Sequence, residues 1–342
     1  MIVDSLGMFD AARALPDQIE RAQQAAASIG ELPDHDDIEN VLVLSAGASA
    51  MAGELLPVVA GPFMPVPVVV HQGYGLPNFV DEHTLVFAVS FLGDTDETLE
   101  GAASAAAAGA RLVVVTGGGE LAELARQWSA PIVTVDTSLP TARAAVGAVS
   151  IPPLAVLERV GLFRGASSWI DAAVAQLRRR LAGGAADELA AAVSRRIGRQ
   201  VPIVYGGGGI GGVAARRWKR QFNENAKMPA FWNQVPELCH DEISGWGQNG
   251  DVTRQLFSLV ELRHGFEHAR LAPRFGATRD LVDECVHQIL TVEAEGGGRL
   301  AQLLDLMYFG DWASCYLALQ NDVDPGPIDA IAALKSRLAG TG

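Results

Sequence analysis

Five runs of apolar residues punctuate the first half of the chain: VLVLS (41–45), VPVVV (66–70), LVFAVS (85–90), RLVVVT (111–116) and PIVTV (131–135). Each reads as a buried strand, and helical segments lie between them. GASAMAGELL is a turn running into a helix, an Ala-rich helix ends near Ala110, and ELAELARQW forms another. Continuous apolar strands alternating with helices demand a parallel sheet covered on both faces. The expected fold class is α/β, a doubly wound domain over residues 38–163.

The pattern returns later. VPIVY (201–205) is followed by a Gly-rich turn and a helix over 211–227, as the first strand is followed by its own small-residue turn and helix. QLFSLVEL (255–262) and ILTVEAE (289–295) supply further strands. Helices are expected over 168–182, 186–198, 277–288 and 299–320, with a last one after the DPGP turn (324–327). We therefore expect a second domain of the same class over 164–342, a duplicated fold, with GLFRGAS (161–167) as linker. Residues 1–37 form an N-terminal arm with one or two amphipathic helices over 6–30. The segment following Lys227 reads as irregular and polar.

A length of 342 residues suits two domains, and 49% hydrophobic residues can fill two cores. The net charge of -14 speaks against nucleic acid or an anionic membrane as partner. An anionic small substrate stays open, because a local site can oppose the global charge. Three cysteines, Cys239, Cys285 and Cys315, show no CxxC spacing, which points to a reducing compartment. The acidic N-terminus has no secretory pattern, and the apolar run from Ala144 to Leu157 is short and holds Pro152 and Pro153. A cytoplasmic protein is expected.

Four motifs carry candidate chemistry. GGGGIGG (206–212) has the G-x-G-x-x-G form after a strand, but the acidic residue that should end a following strand falls within the same helix, near Glu224. A glycine turn that admits a close neighbour is the better reading. HGFEH (264–268) matches H-x-x-E-H, yet it follows a strand directly and contains Gly265, so it reads as a surface turn with no metal. SFLGDTDET (90–98) leads from a strand into a helix, where hydroxyls and free N–H groups can hold a phosphate. Ordinary capping by Asp94 or Thr95 is its plainer reading. Ser45, Gly47 and Ser49 make a similar turn after the first strand.

The fourth is Glu224, Lys227, Glu237 and His240. A carboxylate beside an imidazole suits proton transfer at carbon. A polar network, with Glu224 paired to Arg216, Arg217 or Arg220, explains the residues equally well.

Taken together, the SAGASA turn, SFLGDTDET, TGGGELAELA, LPTARAAVGAV, RWKRQFNENAKMPAF, PELCHDEISGW and the C-terminal DPGPIDAIAALK resemble the bifunctional phosphoglucose/phosphomannose isomerase family of SIS-domain sugar isomerases. The resemblance covers nearly all of the chain after residue 38 and implies two SIS domains. It implies that Glu224 moves a proton between C1 and C2 and that His240 assists ring opening, often from the partner subunit of a dimer. It places Lys335 near the ring oxygen or phosphate, and Arg143 against the enediolate charge. By the same resemblance, Gly47, Ser49, Ser90 and Thr95 would hold the phosphate. The chemistry implied needs neither cofactor nor metal. A homodimer follows from the resemblance and from Phe231 and Trp232, which look exposed.

Several positions depart from the family: in the first turn Ser49 stays while glycines become Ser45, Ala48 and Ala50. Leu92 and Asp94 replace a hydroxyl and a neutral amide in the phosphate turn, and Gly326 stands where threonine is often associated with accepting mannose phosphate. A lost charge-assisted hydrogen bond is worth roughly 1.5–3 kcal/mol, or one to two orders of magnitude in binding. Three functions fit: a hexose 6-phosphate isomerase, an isomerase altered at the phosphate end, or a non-catalytic sugar-phosphate binder.

Overall fold

Runs of Val, Leu and Ile pair side by side only if both faces of the resulting sheet are covered. The computed structural model of the chain, which describes residues 3–339, does this twice. In chain order the elements are helices α1 (Met8–Arg13) and α2 (Leu15–Ser28), strand β1 (Asn40–Ser45), helix α3 (Met51–Val59), strands β2 (Val68–His71) and β3 (Thr84–Ser90), α4 (Asp96–Ala107), β4 (Arg111–Thr116), α5 (Gly119–Gln127), β5 (Ile132–Thr134), α6 (Val146–Val160), α7 (Ala166–Ala182) and α8 (Ala185–Ile197). There follow β6 (Val201–Gly207), α9 (Gly208–Glu224), β7 (Phe231–Val235), α10 (Gly250–Leu256), β8 (Phe257–Arg263), α11 (Leu271–Val282), β9 (Gln288–Glu293), α12 (Arg299–Gln320) and α13 (Asp329–Ala339). The chain forms two compact units. One is Ala14–Arg179 with Glu295–Leu304; the other is the chain up to Arg13, Arg180–Ala294, and the chain from Asp305 onward.

The first sheet has five parallel strands in the order β2-β1-β3-β4-β5. Every residue of β3 is buried. Leu42, Leu44, Val86, Ala88 and Val114 pack under Leu121 of α5. Each such large side chain withdrawn from water contributes about 1.5–3 kcal/mol. On the apolar face of α2, Leu15, Ile19, Ala22 and Ala26 are buried, and the helix packs against α6. Gly147 permits that approach, since a Cβ there would lie 3.0 Å from Ile19 Cγ1 and Leu15 Cδ1. The apolar run with Pro152 and Pro153 is the buried core of α6. No helix among the described residues is long and apolar enough to cross a membrane. From β1 the chain moves to β2 on one side and then to β3 on the other. The carboxyl ends of β1 and β3 therefore flank the switch point, where a doubly wound sheet holds its ligand.

The second sheet has four parallel strands in the order β7-β6-β8-β9. The stretch expected to be irregular after Lys227 contains β7, an edge strand running from exposed Phe231 to buried Val235. An edge has a neighbour on one side only and tolerates polar residues such as Asn233 and Gln234. Helix α11 begins at Leu271, earlier than expected, because Pro273 lies in the first turn, where its missing N–H is not needed. Helix α9 begins at Gly208 and stops at Glu224, three residues before Lys227.

Within this unit Trp218 of α9 is fully buried, stacks on Phe309, and donates its Nε1–H to Leu306 O at 2.8 Å. A Cβ on Gly310 would sit 2.4 Å from that nitrogen. Gly310→Ala is expected to lower stability by about 1–3 kcal/mol, the range for overpacking a filled core, as measured by urea denaturation. An unchanged midpoint would show that the indole can move aside.

Candidate active site

The small residues after β1 and β3 meet at the switch point of the first sheet. Ser49, buried in the 3-10 turn Gly47–Ala50, accepts a hydrogen bond from Phe91 N at 3.1 Å. Ser90 Oγ accepts from Gly93 N at 3.1 Å and lies 3.0 Å from Thr95 Oγ1. Among the described residues no acceptor takes the Ser49 proton, so that hydroxyl can donate to an anion. Gly47 takes φ 55 and has open space where a side chain would project, so a ligand can approach its backbone. Arg143, 3% exposed, sits in the 3-10 turn Ala142–Ala144, which packs on the Gly47–Ala50 turn. The structure thus brings Gly47, Ser49, Ser90, Thr95 and Arg143 to one end of the first sheet.

The phosphate-turn departures have local explanations. Thr95 stands at the N-cap position of α4, but its side chain does not cap that helix, contrary to the ordinary capping reading. Asp94 instead accepts from Glu120 N at 3.1 Å and caps the neighbouring helix, α5. Gly93 has φ 87, and a Cβ there would come 1.9 Å from Gly118 O, so the two turns are pressed together. Leu92 is 59% exposed.

In the other unit, Glu224 is the last residue of α9 and is half-buried. Its neighbours fix the helix end. Asn223 Nδ2 donates to Met228 O at 2.8 Å, and Asn225 Nδ2 donates to Ser314 Oγ of α12 at 2.9 Å. Lys227 adopts φ 54, the left-handed conformation in which helices commonly end. Its ammonium donates to the carbonyls of Glu224, Asn225 and Pro325, matching the negative end of the helix dipole. Two turns back, Arg217 is committed to Asp311 and Arg216 lies over the Trp232 ring at 5.8 Å. The two asparagines that flank the carboxylate are therefore structural anchors, a role the sequence alone did not assign them.

His240 follows the 3-10 turn Glu237–Cys239 and is exposed, as is Glu237. Lys335 is exposed on α13. Gly326 donates its N–H to Asp324 Oδ1 at 2.8 Å. A side chain at that position would press on Leu6, whose Cγ would lie 2.8 Å from the new Cβ.

The remaining two motifs lock against each other. Glu267 of HGFEH receives Arg263 Nη2 at 2.7 Å and His264 N at 3.0 Å. His264 Nε2 lies 2.6 Å from Gly207 O, which can only accept, so that nitrogen carries the proton. A Cβ on Gly207 would meet Glu267 Oε1 at 2.4 Å, and one on Gly206 would meet Gly211 O at 2.1 Å. The glycines admit the protein's own atoms, as the milder reading of that turn expected, and HGFEH is a turn.

Residues 186–338 match the model of the bacterial phospho-glucose isomerase C-terminal SIS domain. The fold is also that of the C-terminal domain of glucosamine-fructose-6-phosphate aminotransferase from Francisella tularensis, with TM-score 0.73 and 12% identity over 94% of this chain and 98% of that one. Two parallel sheets, the first with hydroxyls at its strand ends, thus define an SIS-class protein. The bifunctional phosphoglucose/phosphomannose isomerase of Caldicellulosiruptor bescii is 36% identical over 337 residues, 97% of this chain and 99% of the relative. That of Thermoplasma acidophilum is 30% identical over 88% of this chain and 90% of the relative. The chain belongs to the bifunctional phosphoglucose/phosphomannose isomerase family.

Proposed function

We propose that the protein interconverts glucose 6-phosphate or mannose 6-phosphate with fructose 6-phosphate. The observation that carries this reading is a half-buried carboxylate, Glu224, held at a helix end by Asn223, Asn225 and Lys227 in a chain of this family. After ring opening assisted by His240, Glu224 removes the C2 proton of the aldose. The electron pair moves onto the carbonyl oxygen and gives a cis-enediolate; as the proton returns at C1, the O2 hydroxyl proton passes to O1 and the C2 carbonyl forms. Arg143 meets the enediolate charge, Lys335 lies near the ring oxygen or phosphate, and Gly47, Ser49, Ser90 and Thr95 hold the phosphate. All these groups are the protein's own. The protein works in the cytoplasm as a homodimer, with His240 serving the neighbouring subunit; a monomer in light scattering would remove that role.

The test is a coupled assay on glucose, mannose and fructose 6-phosphates. Thermal stabilisation by these sugars without turnover would instead indicate a binding protein. Leu92→Ser restores a donor worth about 0.5–1.5 kcal/mol and is expected to lower KM by up to about tenfold. Asp94→Asn keeps an acceptor for Glu120 N and removes a negative charge beside the phosphate. Its KM is expected to fall severalfold at low ionic strength, with the gain shrinking as salt is added. A KM that ignores both changes would place the phosphate elsewhere.

A further inference from the structure

His240 is exposed, and among the described residues its imidazole has no hydrogen-bond partner. Nothing holds the ring itself, so its position depends on the backbone on either side. On one side, Leu238 is fully buried with Val235 and Phe275. On the other lies Glu242, a carboxylate that the proposed chemistry does not use. Tyr205, fully buried on β6, donates its hydroxyl to one Glu242 oxygen. Asn233 Nδ2 on β7 donates to the other at 2.7 Å. Trp246 Nε1 donates to the Tyr205 hydroxyl at 3.3 Å. Asn233 Oδ1 is itself occupied by Gln234 N at 2.8 Å, so the amide cannot turn over without losing a bond.

We propose that Glu242 is a positioning residue for His240, clamping the 237–246 turn onto the ends of β6 and β7 through Tyr205 and Asn233. Burial pushes the Tyr205 phenol up, and the carboxylate it serves pushes it the same way, so the hydroxyl stays a donor across the neutral range. Leu238 and Glu242 then act as two fixed points, and the imidazole projects between them. The kinetic part of this inference rests on His240 opening the sugar ring; the structural part does not.

The experiment uses the full chain as Glu242→Ala, Glu242→Gln and Tyr205→Phe. The His240 imidazole resonance is assigned by its loss in His240→Asn. In Glu242→Ala and Tyr205→Phe that resonance is expected to shift and broaden in the unliganded protein. kcat for glucose 6-phosphate is expected to fall about 10–100-fold, within the range for a misplaced proton-transfer group. Binding of an open-chain hexonate 6-phosphate, which needs no ring opening, is expected to change less than twofold, whereas general loosening of the site would weaken it too. Glu242→Gln keeps an acceptor for Tyr205 but turns an amide N–H₂ toward Asn233, so its defect should be intermediate. It and Tyr205→Phe remain informative if the alanine variant fails to fold. An unmoved His240 resonance in folded variants would overturn the clamp. If the wild-type protein shows no isomerase turnover, the functional reading falls, and the resonance still decides the clamp.

Discussion

Glu224→Gln is expected to lower kcat by about 10²–10⁴-fold, the usual contribution of a positioned general base, with little change in thermal midpoint. The amide has the same shape but cannot take a proton from C2. The bonds that close the helix run through the side chains of Asn223 and Asn225 and from the Lys227 ammonium to the Glu224 carbonyl, and the substitution leaves them in place. Loss of turnover in a folded protein would tie the chemistry to this carboxylate. Turnover within tenfold of wild type would mean that another group is the base.

Asp311→Ala should produce the largest loss of stability, about 3–5 kcal/mol by urea denaturation. Arg217 Nε and Nη2 donate to the two Asp311 oxygens at 3.0 and 2.7 Å, and Gln221 Nε2 adds a third bond at 2.8 Å. Both charged side chains are nearly sealed from water, with side-chain exposures of 3% and 9%. Removing the carboxylate leaves a guanidinium buried without its charge partner, which costs more than the pair contributes. The comparison is Asp37→Ala, which breaks an exposed pair with Arg111 and should cost less than about 1 kcal/mol. Equal effects would show that Arg217 finds solvent or another acceptor when Asp311 is gone.

What could be read in advance followed burial. Strands such as LVFAVS, buried at every position, announce themselves through continuous apolar runs. FWNQV does not, because an edge strand keeps polar residues, and Asn233 is polar for a reason outside its strand: it serves Glu242. Glu224 and His240 stood out as residue types, but nothing in a linear pattern shows that Asn225 reaches Ser314, 89 positions away. Asp94 was read for its charge near a phosphate; that it caps α5 depends on two turns meeting in space. Lys227 looked like a third member of the proton-transfer cluster, and its ammonium turns instead to the carbonyls at the helix end.

The mutual lock of the Gly206–Gly211 turn and the HGFEH turn has a kinetic consequence. In a chain built from one topology repeated, a dianion has in principle two sets of strand ends to visit, and only the first belongs to the proposed site. At the ends of β6 and β8 the Glu267 carboxylate and the His264 ring occupy the ground that Ser49 and Ser90 leave open at β1 and β3. With the phosphate at Ser49 and Ser90, as proposed, substrate would be spared a dead-end resting place, and the duplicate sheet would be left to hold the framework around Glu224.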